Sequence, residues 1–282
     1  MSDFDKGWEP NFPPVMHFID IENTHEKPFK ILEAHPDYEA AKKQEDRSAA
    51  LRLVDDFLQT QKNQSQLSIL QQKYSKAFIV PVRAIEACGK NRIPEVLAEY
   101  IGHITGFEIN TDIIQSNQVH RTGSDEWHRF AFRPTYDGFV ISSQNYIIVD
   151  DVFSLGGTFN EMRRFIENNN GKVVHTIAMA TGRSGSEIAL NPKTYKSLVD
   201  IFGENNLKSF LKEINLYDGN CKALTEPEAR ALRRASSLDK ARDRIFAARC
   251  QGGSSVGSAS TQKHETTQIE SPDQNQSRGR RR

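Results

Sequence analysis

An α/β fold, with helices covering both faces of a largely parallel sheet, is what this 282-residue sequence predicts. Three observations lead there. Helix-patterned and strand-patterned segments alternate between about residues 46 and 182. The strand candidates are short apolar runs of the kind buried inside a sheet. Residues 146–181 read strand, tight turn, amphipathic helix, strand, an order that returns the second strand parallel to the first.

The first helix of this core is AALRLVDDFLQTQ, residues 49–61, where Leu51, Val54, Phe57 and Leu58 form an apolar stripe at three-to-four spacing. AFIVPVRA, residues 77–84, reads as a buried strand. IPEVLAEYIGHITG follows as a helix, with Pro94 in its first turn and Gly106 as its C-terminal cap. After a short strand near Glu108–Ile109 comes a polar stretch from Asn117 to Asp137 that carries His120, Arg121, His128, Arg129 and Arg133. A loop of that length in a compact domain is usually functional. YIIVDD is then a strand, SLGG a turn, TFNEMRRFIENN a helix and KVVHTIAMAT a strand. Residues 191–250 read as helices, the last opened by Thr225 three residues before Glu228, a capping-box spacing with Pro227 inside the first turn. The expected organisation is an N-terminal extension or hood (1–45), the core (46–190), a helical appendage (191–250) and a disordered Gly/Ser/Thr/Gln-rich tail (251–282).

Formal charge cancels, 37 basic against 37 acidic residues, so no global field points to nucleic acid or a membrane, and an anion site must be local. No apolar run reaches the length of a membrane helix and the first 30 residues lack a signal pattern; the expected location is cytoplasmic. Cys88, Cys221 and Cys250 have no Cys or His pairing that suggests a disulfide framework or zinc.

The chemistry concentrates between Tyr146 and Thr158. An apolar strand delivers Asp150 and Asp151 to its C-terminal end, where open α/β sheets place their ligands. Gly156 and Gly157 then let the backbone turn tightly, and a helix starting near Thr158 aims its first N–H groups and positive dipole end outward, a phosphate cradle. Ser154 and Thr158 add hydroxyls, and the carboxylates suit a sugar diol or Mg²⁺. The same features also describe an ordinary strand-to-helix connection in which Asp151 or Ser154 merely caps. Neither G-x-x-x-x-G-K-[ST] nor G-x-G-x-x-G occurs, which removes the Walker and dinucleotide alternatives.

YIIVDDVFSLGGTF resembles the ribose-phosphate-binding signature of the type I phosphoribosyltransferases, matching it at Asp150, Asp151, Val152, Ser154, Gly156 and Thr158. It departs at Phe153, bulkier than the usual aliphatic residue, and at Leu155, where a hydroxyl or small side chain is usual. The resemblance implies the type I phosphoribosyltransferase fold. It also implies that Asp150 and Asp151 contact the ribose hydroxyls and hold Mg²⁺ directly or through water, and that Ser154, Leu155, Gly156, Gly157 and Thr158 receive the 5′-phosphate. FIVPVRAIEACGKNRIPEVLAEYIG is similar to the family's strand, pyrophosphate loop and helix, especially in its competence-related members, and implies that Arg83, Lys90 and Arg92 meet the pyrophosphate. The Asn117–Asp137 stretch stands where the family has its flexible loop, so Arg121, His128 or Arg129 would close onto the diphosphate, with Arg121 and Arg129 as catalytic cations.

The function so implied is transfer of a phosphoribosyl group from 5-phosphoribosyl 1-pyrophosphate to a nitrogen nucleophile, a nucleobase-like small molecule, in nucleotide metabolism. No residue names the acceptor: Ser154 replaces the acid of the 6-oxopurine branch, and the loop lacks the lysine of the orotate branch. Phe12, Phe18, Phe29 and Tyr38 are candidates to stack on a base, although aromatic residues in an N-terminal extension are more often packing contacts. The alternative is a non-catalytic regulator that keeps the ribose-phosphate site, or a component of a defence-related assembly that docks protein or nucleic acid through the basic helix Arg230–Arg244 and the tail. A homodimer is expected from the resemblance.

Overall fold

The structure, a computed structural model, describes residues 6–19, 26–83, 85–86, 89–117, 119, 125–182 and 185–254. Strand β1 (Met16–His17) is followed by helices α1 (Pro28–Glu33), α2 (Tyr38–Lys43), α3 (Arg47–Leu58) and α4 (Gln61–Lys73). Next come β2 (Phe78–Pro81), a hairpin of β3 (Ile85–Glu86) and β4 (Gly89–Lys90), α5 (Ile93–Thr105) and β5 (Glu108–Ile109). Strands β6 (Ile114–Gln115) and β7 (Tyr136–Asp137) pair across α6 (Glu126–Ala131). The unit β8 (Asn145–Phe153), α7 (Gly157–Asn168), β9 (Lys172–Thr181) precedes α8 (Pro192–Phe202), α9 (Glu204–Glu213), α10 (Glu226–Arg234) and α11 (Leu238–Ser254).

The central sheet runs β1-β9-β8-β2-β5 and all its pairings are parallel, the α/β class expected. β8 is its middle strand, and its continuous apolar run has a period-two explanation. Ile147 and Val149 face the layer of α3, α4 and α5, while Tyr146 and Ile148 face the layer of α7. Both faces are therefore covered, and the strand's acids, Asp150 and Asp151, come only towards its C-terminal end.

Local signals in the sequence act as expected at the ends of elements. Gly106 adopts φ +73° and donates its N–H to the Gly102 carbonyl, closing α5. Thr225 and Glu228 form a reciprocal capping box at the start of α10. Three features differ from expectation. The buried face of α3 is Ala49, Ala50, Leu53, Val54 and Leu58, and Leu51 is exposed. Helix α4 occupies a stretch with few apolar residues, held by Leu67, Leu70 and a buried Asn63 whose amide donates to the carbonyls of Phe18 and Phe57. The N-terminal segment adds an edge strand to the sheet. Its aromatics pack inward, the more common reading of such residues: Phe18 and Tyr38 lie in the core and Phe12 sets its ring against Trp8.

The C-terminal helices build a second apolar core of their own, with Leu207, Phe210, Leu211, Leu224 and Leu232 among its members. Trp127 and Phe130 of α6 belong to it, and so does Leu155 from the turn after β8. The basic helix surface is engaged within the chain: Arg230 pairs with Glu226, Arg234 with Glu126, and Arg242 with Glu213 and Asp239. Residues 255–282, the rest of the polar tail, lie outside the described residues.

Candidate functional site

The site begins where β8 ends. Its last residues, Asp150 to Phe153, still pair with Ala178 to Thr181 of β9, which fixes the strand's direction up to the turn. Gly156 then adopts φ +81°, a left-handed conformation that L side chains rarely tolerate, and it serves as N-cap of α7. Having no side chain, it leaves the first-turn amides of α7 without the hydroxyl or carboxylate cap that most helices carry. Asp150, Ser154, Gly156, Gly157 and Thr158 line one cavity together with Arg129 and Arg133. The predicted ribose-phosphate residues are thus brought together.

Two of them are placed differently from expectation. Leu155 also lines the cavity, but its side chain belongs to the C-terminal apolar core and its carbonyl accepts a hydrogen bond from the Thr225 hydroxyl at 2.5 Å. Asp151 is buried, and its Oδ2 is shared by the Lys42 ammonium and by Asn91 Nδ2 at 2.9 Å. Burial alone would raise its pKa, but the Lys42 charge and the hydrogen bonds from Lys42 and Asn91 outweigh that and lower it below 3.8. Asp150 is half-buried on the cavity wall, and its Oδ1 accepts from the Asp151 N–H at 2.8 Å. Of the two acids, Asp150 is the one that lines the cavity.

Arg129 reaches the turn from α6, its Nη1 donating to Ser154 Oγ at 2.6 Å. The cavity beneath has a volume of about 10 Å³, space for about one water, and Arg129 is one of its walls. Arg121 lies outside the described residues. The three cations expected to meet pyrophosphate converge on a single carboxylate: Arg83 Nε at 2.7 Å and Lys90 Nζ at 2.8 Å from Glu95 Oε1, and Arg92 Nη1 at 3.0 Å from Oε2. Burial raises the Glu95 pKa, and the hydrogen bonds from Lys90, Arg92 and Arg83 more than reverse it, so Glu95 stays ionised. Arg92 is shared with a second acid, its Nη2 lying 3.5 Å from Glu45.

Lys42, Asn91, Glu95, Thr225 and Glu228 escaped the sequence analysis as site residues. Lys42 and Asn91 reach Asp151, and Thr225 and Glu228 reach Leu155 and Arg133, across the fold on partners that the chain's order does not reveal, whereas Glu95 stands close in sequence to Lys90 and Arg92. Arg133 is also more firmly held than a mobile loop residue would be. Its guanidinium bonds Glu161 at 3.1 Å, Glu228 at 2.5 Å and the Tyr217 hydroxyl, and it lies flat against Gly157. A Cβ on Gly157 would stand 2.2 Å from Arg133 Nη1 and 2.8 Å from Cζ. Gly157→Ala is expected to destabilise the fold by about 1–3 kcal/mol, because the anchored guanidinium cannot yield without breaking its bonds. Urea unfolding of the two proteins checks this, and a change under 0.5 kcal/mol would show that Arg133 is loosely held.

No family model matches the chain. It is 40% identical over 230 residues to Protein TraN of Escherichia coli, an alignment covering 82% of this chain and 50% of that protein. It is 33% identical over 133 residues to an uncharacterized protein of Haemophilus influenzae, covering 47% and 29%. The chain therefore spans half, or less, of the length of these curated relatives. Among solved structures it is similar to an adenine phosphoribosyltransferase with a TM-score of 0.32 and 11% identity, over 50% of this chain and 74% of that one. It is similar also to the adenine phosphoribosyltransferase of Rhodothermus marinus, with a TM-score of 0.30 and 15% identity over 60% and 79%.

Proposed function

We propose that this chain binds 5-phosphoribosyl 1-pyrophosphate at residues 150–158 and transfers its phosphoribosyl group to a nitrogen nucleophile. The observation that carries the reading is continuity. One central parallel strand ends in an exposed-side carboxylate, Asp150, and passes within six residues into a left-handed glycine and the uncapped first turn of a helix. A diol acceptor and an anion cradle so placed suit the two ends of a ribose 5-phosphate.

In this reading Asp150 accepts hydrogen bonds from the ribose hydroxyls, and the amides at the start of α7, with Ser154 and Thr158, take the 5′-phosphate. Arg129 transfers its guanidinium from Ser154 Oγ to that phosphate. Arg83, Lys90 and Arg92 face the diphosphate, whose negative charge grows as the glycosidic carbon becomes cationic. Mg²⁺ fits this donor set in one particular way. Among the described residues no three His, Cys, Asp or Glu side chains cluster as a metal cage, and Asp151 Oδ2 is engaged by Lys42 and Asn91. The ion would be held chiefly by the diphosphate, the sugar hydroxyls and water, with Asp150 as the protein carboxylate. When bound it supplies charge neutralisation to the leaving group.

A second reading has its own observation. The loop cations Arg83, Lys90 and Arg92 are already gathered on Glu95, and the chain spans half of Protein TraN. Both favour a non-catalytic sensor of the same ligand within a larger protein. Calorimetric titration of 5-phosphoribosyl 1-pyrophosphate with Mg²⁺ tests the shared site. Wild type is expected to bind, and Asp150→Asn to bind roughly 10- to 100-fold more weakly, the loss of one charged hydrogen bond of about 1.5–3 kcal/mol. Asp151 is unsuitable for this test because its loss also strands Lys42. Absence of binding by folded wild type rejects both readings, and binding without turnover over a broad panel of nitrogen acceptors selects the sensor.

A further inference from the structure

We infer that Lys42, carried by α2 of the N-terminal segment, is the cation that meets the diphosphate next to the bond that breaks; this rests on the site proposed above. Lys42 and Asp151 are 11% and 8% exposed, so both charges have left water to meet. A buried pair of this kind roughly breaks even against apolar side chains of the same size, so stability alone gives little reason to keep it. Its position supplies a reason. Asp151 belongs to the sugar end of the site, while Asn91, which donates to the same Oδ2, belongs to the loop between Lys90 and Arg92. The Lys42 ammonium stands where those two parts touch.

Helix α2 is docked on that loop and not merely near it. The Arg92 N–H donates to the Ala41 carbonyl at 3.1 Å, and Arg92 Nη2 lies 3.5 Å from the Glu45 carboxylate just beyond the helix. The Tyr38 ring supports the Lys42 ammonium from 5.7 Å. Lys42 is therefore held on a helix tied to the loop of Asn91 and Arg92.

Its counter-ion distinguishes it from the other cations. Arg83, Lys90 and Arg92 share Glu95, whereas Lys42 pairs with Asp151, whose N–H donates to the Oδ1 of Asp150, the acid assigned to the ribose. In the transfer, the bond from C1 to the diphosphate oxygen breaks and its electron pair leaves with the diphosphate. The acceptor's nitrogen lone pair forms the new C1–N bond, and the nitrogen's proton passes to water. Lys42 keeps its protons throughout and acts by charge on the departing oxygens.

The test uses the full chain, Mg²⁺ and two probes, 5-phosphoribosyl 1-pyrophosphate and ribose 5-phosphate. Lys42→Gln keeps a donor for Asp151 and removes the charge. It is expected to weaken the diphosphate probe by about 10- to 100-fold while ribose 5-phosphate affinity changes less than about twofold. Lys42→Arg is expected to restore most of the loss. Equal weakening of both probes would mark a purely structural pair and overturn the proposal, as would an unchanged diphosphate affinity. Wild type that binds neither probe overturns the site itself, a result distinct from either. If Lys42→Gln does not fold, acetylation of Lys42 in wild type decides. The diphosphate probe is expected to suppress it and ribose 5-phosphate to leave it nearly unchanged, and equal rates with both overturn the proposal.

Discussion

Replacing Glu228 by Ala is expected to lower the unfolding free energy by about 3–5 kcal/mol, the cost of stranding one member of a buried charged network. Glu228 is fully buried and its carboxylate serves three partners. It accepts from Arg133 at 2.5 Å, from the Tyr217 hydroxyl at 2.9 Å and from the Thr225 N–H at 3.0 Å, the last being half of the α10 capping box. Its removal leaves Arg133 with Glu161 as its remaining acid, at 3.1 Å. The Tyr217 phenol, whose pKa burial pushes well above 10, then keeps its proton with no carboxylate to receive it. Glu228→Gln preserves shape and acceptor oxygen and is expected to cost less than the Ala change. Urea unfolding at neutral pH measures both. A loss below 1 kcal/mol for Glu228→Ala would mean that water replaces the carboxylate without penalty and that the C-terminal helices are only loosely attached.

The second large effect is acid sensitivity from one histidine. His175 lies on β9 against Tyr74, with neither ring nitrogen hydrogen-bonded within the protein, and burial lowers its pKa from 6.5 to about 4, with Lys73 adding to the shift. A histidine whose folded pKa is depressed stays neutral in the native state while the unfolded chain takes up a proton. Stability therefore falls with the pH between 6.5 and about 4, and the full penalty is about 3 kcal/mol. Ionised carboxylates such as Asp151, whose pKa lies below 3.8, act in a lower window. Unfolding free energies at pH 7, 5.5 and 4.5 should show the His175 slope in wild type and not in His175→Leu. Parallel pH profiles for the two proteins would show that water already solvates the imidazole.

Which parts of this molecule a reader of the sequence could find follows from how far apart their partners lie. The unit from β8 to α7 is contiguous, and every signal it needs stands inside residues 146–158: the apolar run, the acids, the glycines. The Thr225 and Glu228 capping box is equally local. Lys42 and Asn91 are different, because they meet Asp151 from 109 and 60 residues away and carry no motif of their own. Leu155 was legible as a departure from the usual pattern but not as an anchor, since its apolar partners are helices that begin beyond residue 190. Helix α4 was missed because its inward contact includes an asparagine serving two carbonyls, a reason invisible to hydrophobic periodicity. The short edge strand β1, two residues long, offers no pattern at all.

The hydrogen bond from Thr225 to the Leu155 carbonyl spans 70 residues of chain. A nascent chain leaving the ribosome carries the whole signature, from Tyr146 to Thr158, well before the residue that braces it has been translated. At roughly 5–20 residues per second that interval is several seconds. During it the parallel strands have all been made and can pair, while the anion cradle has its sequence but not its back wall. The turn from Ser154 to Thr158 is therefore braced only when the C-terminal helices have been made, late in synthesis, and not with the segment that contains the motif.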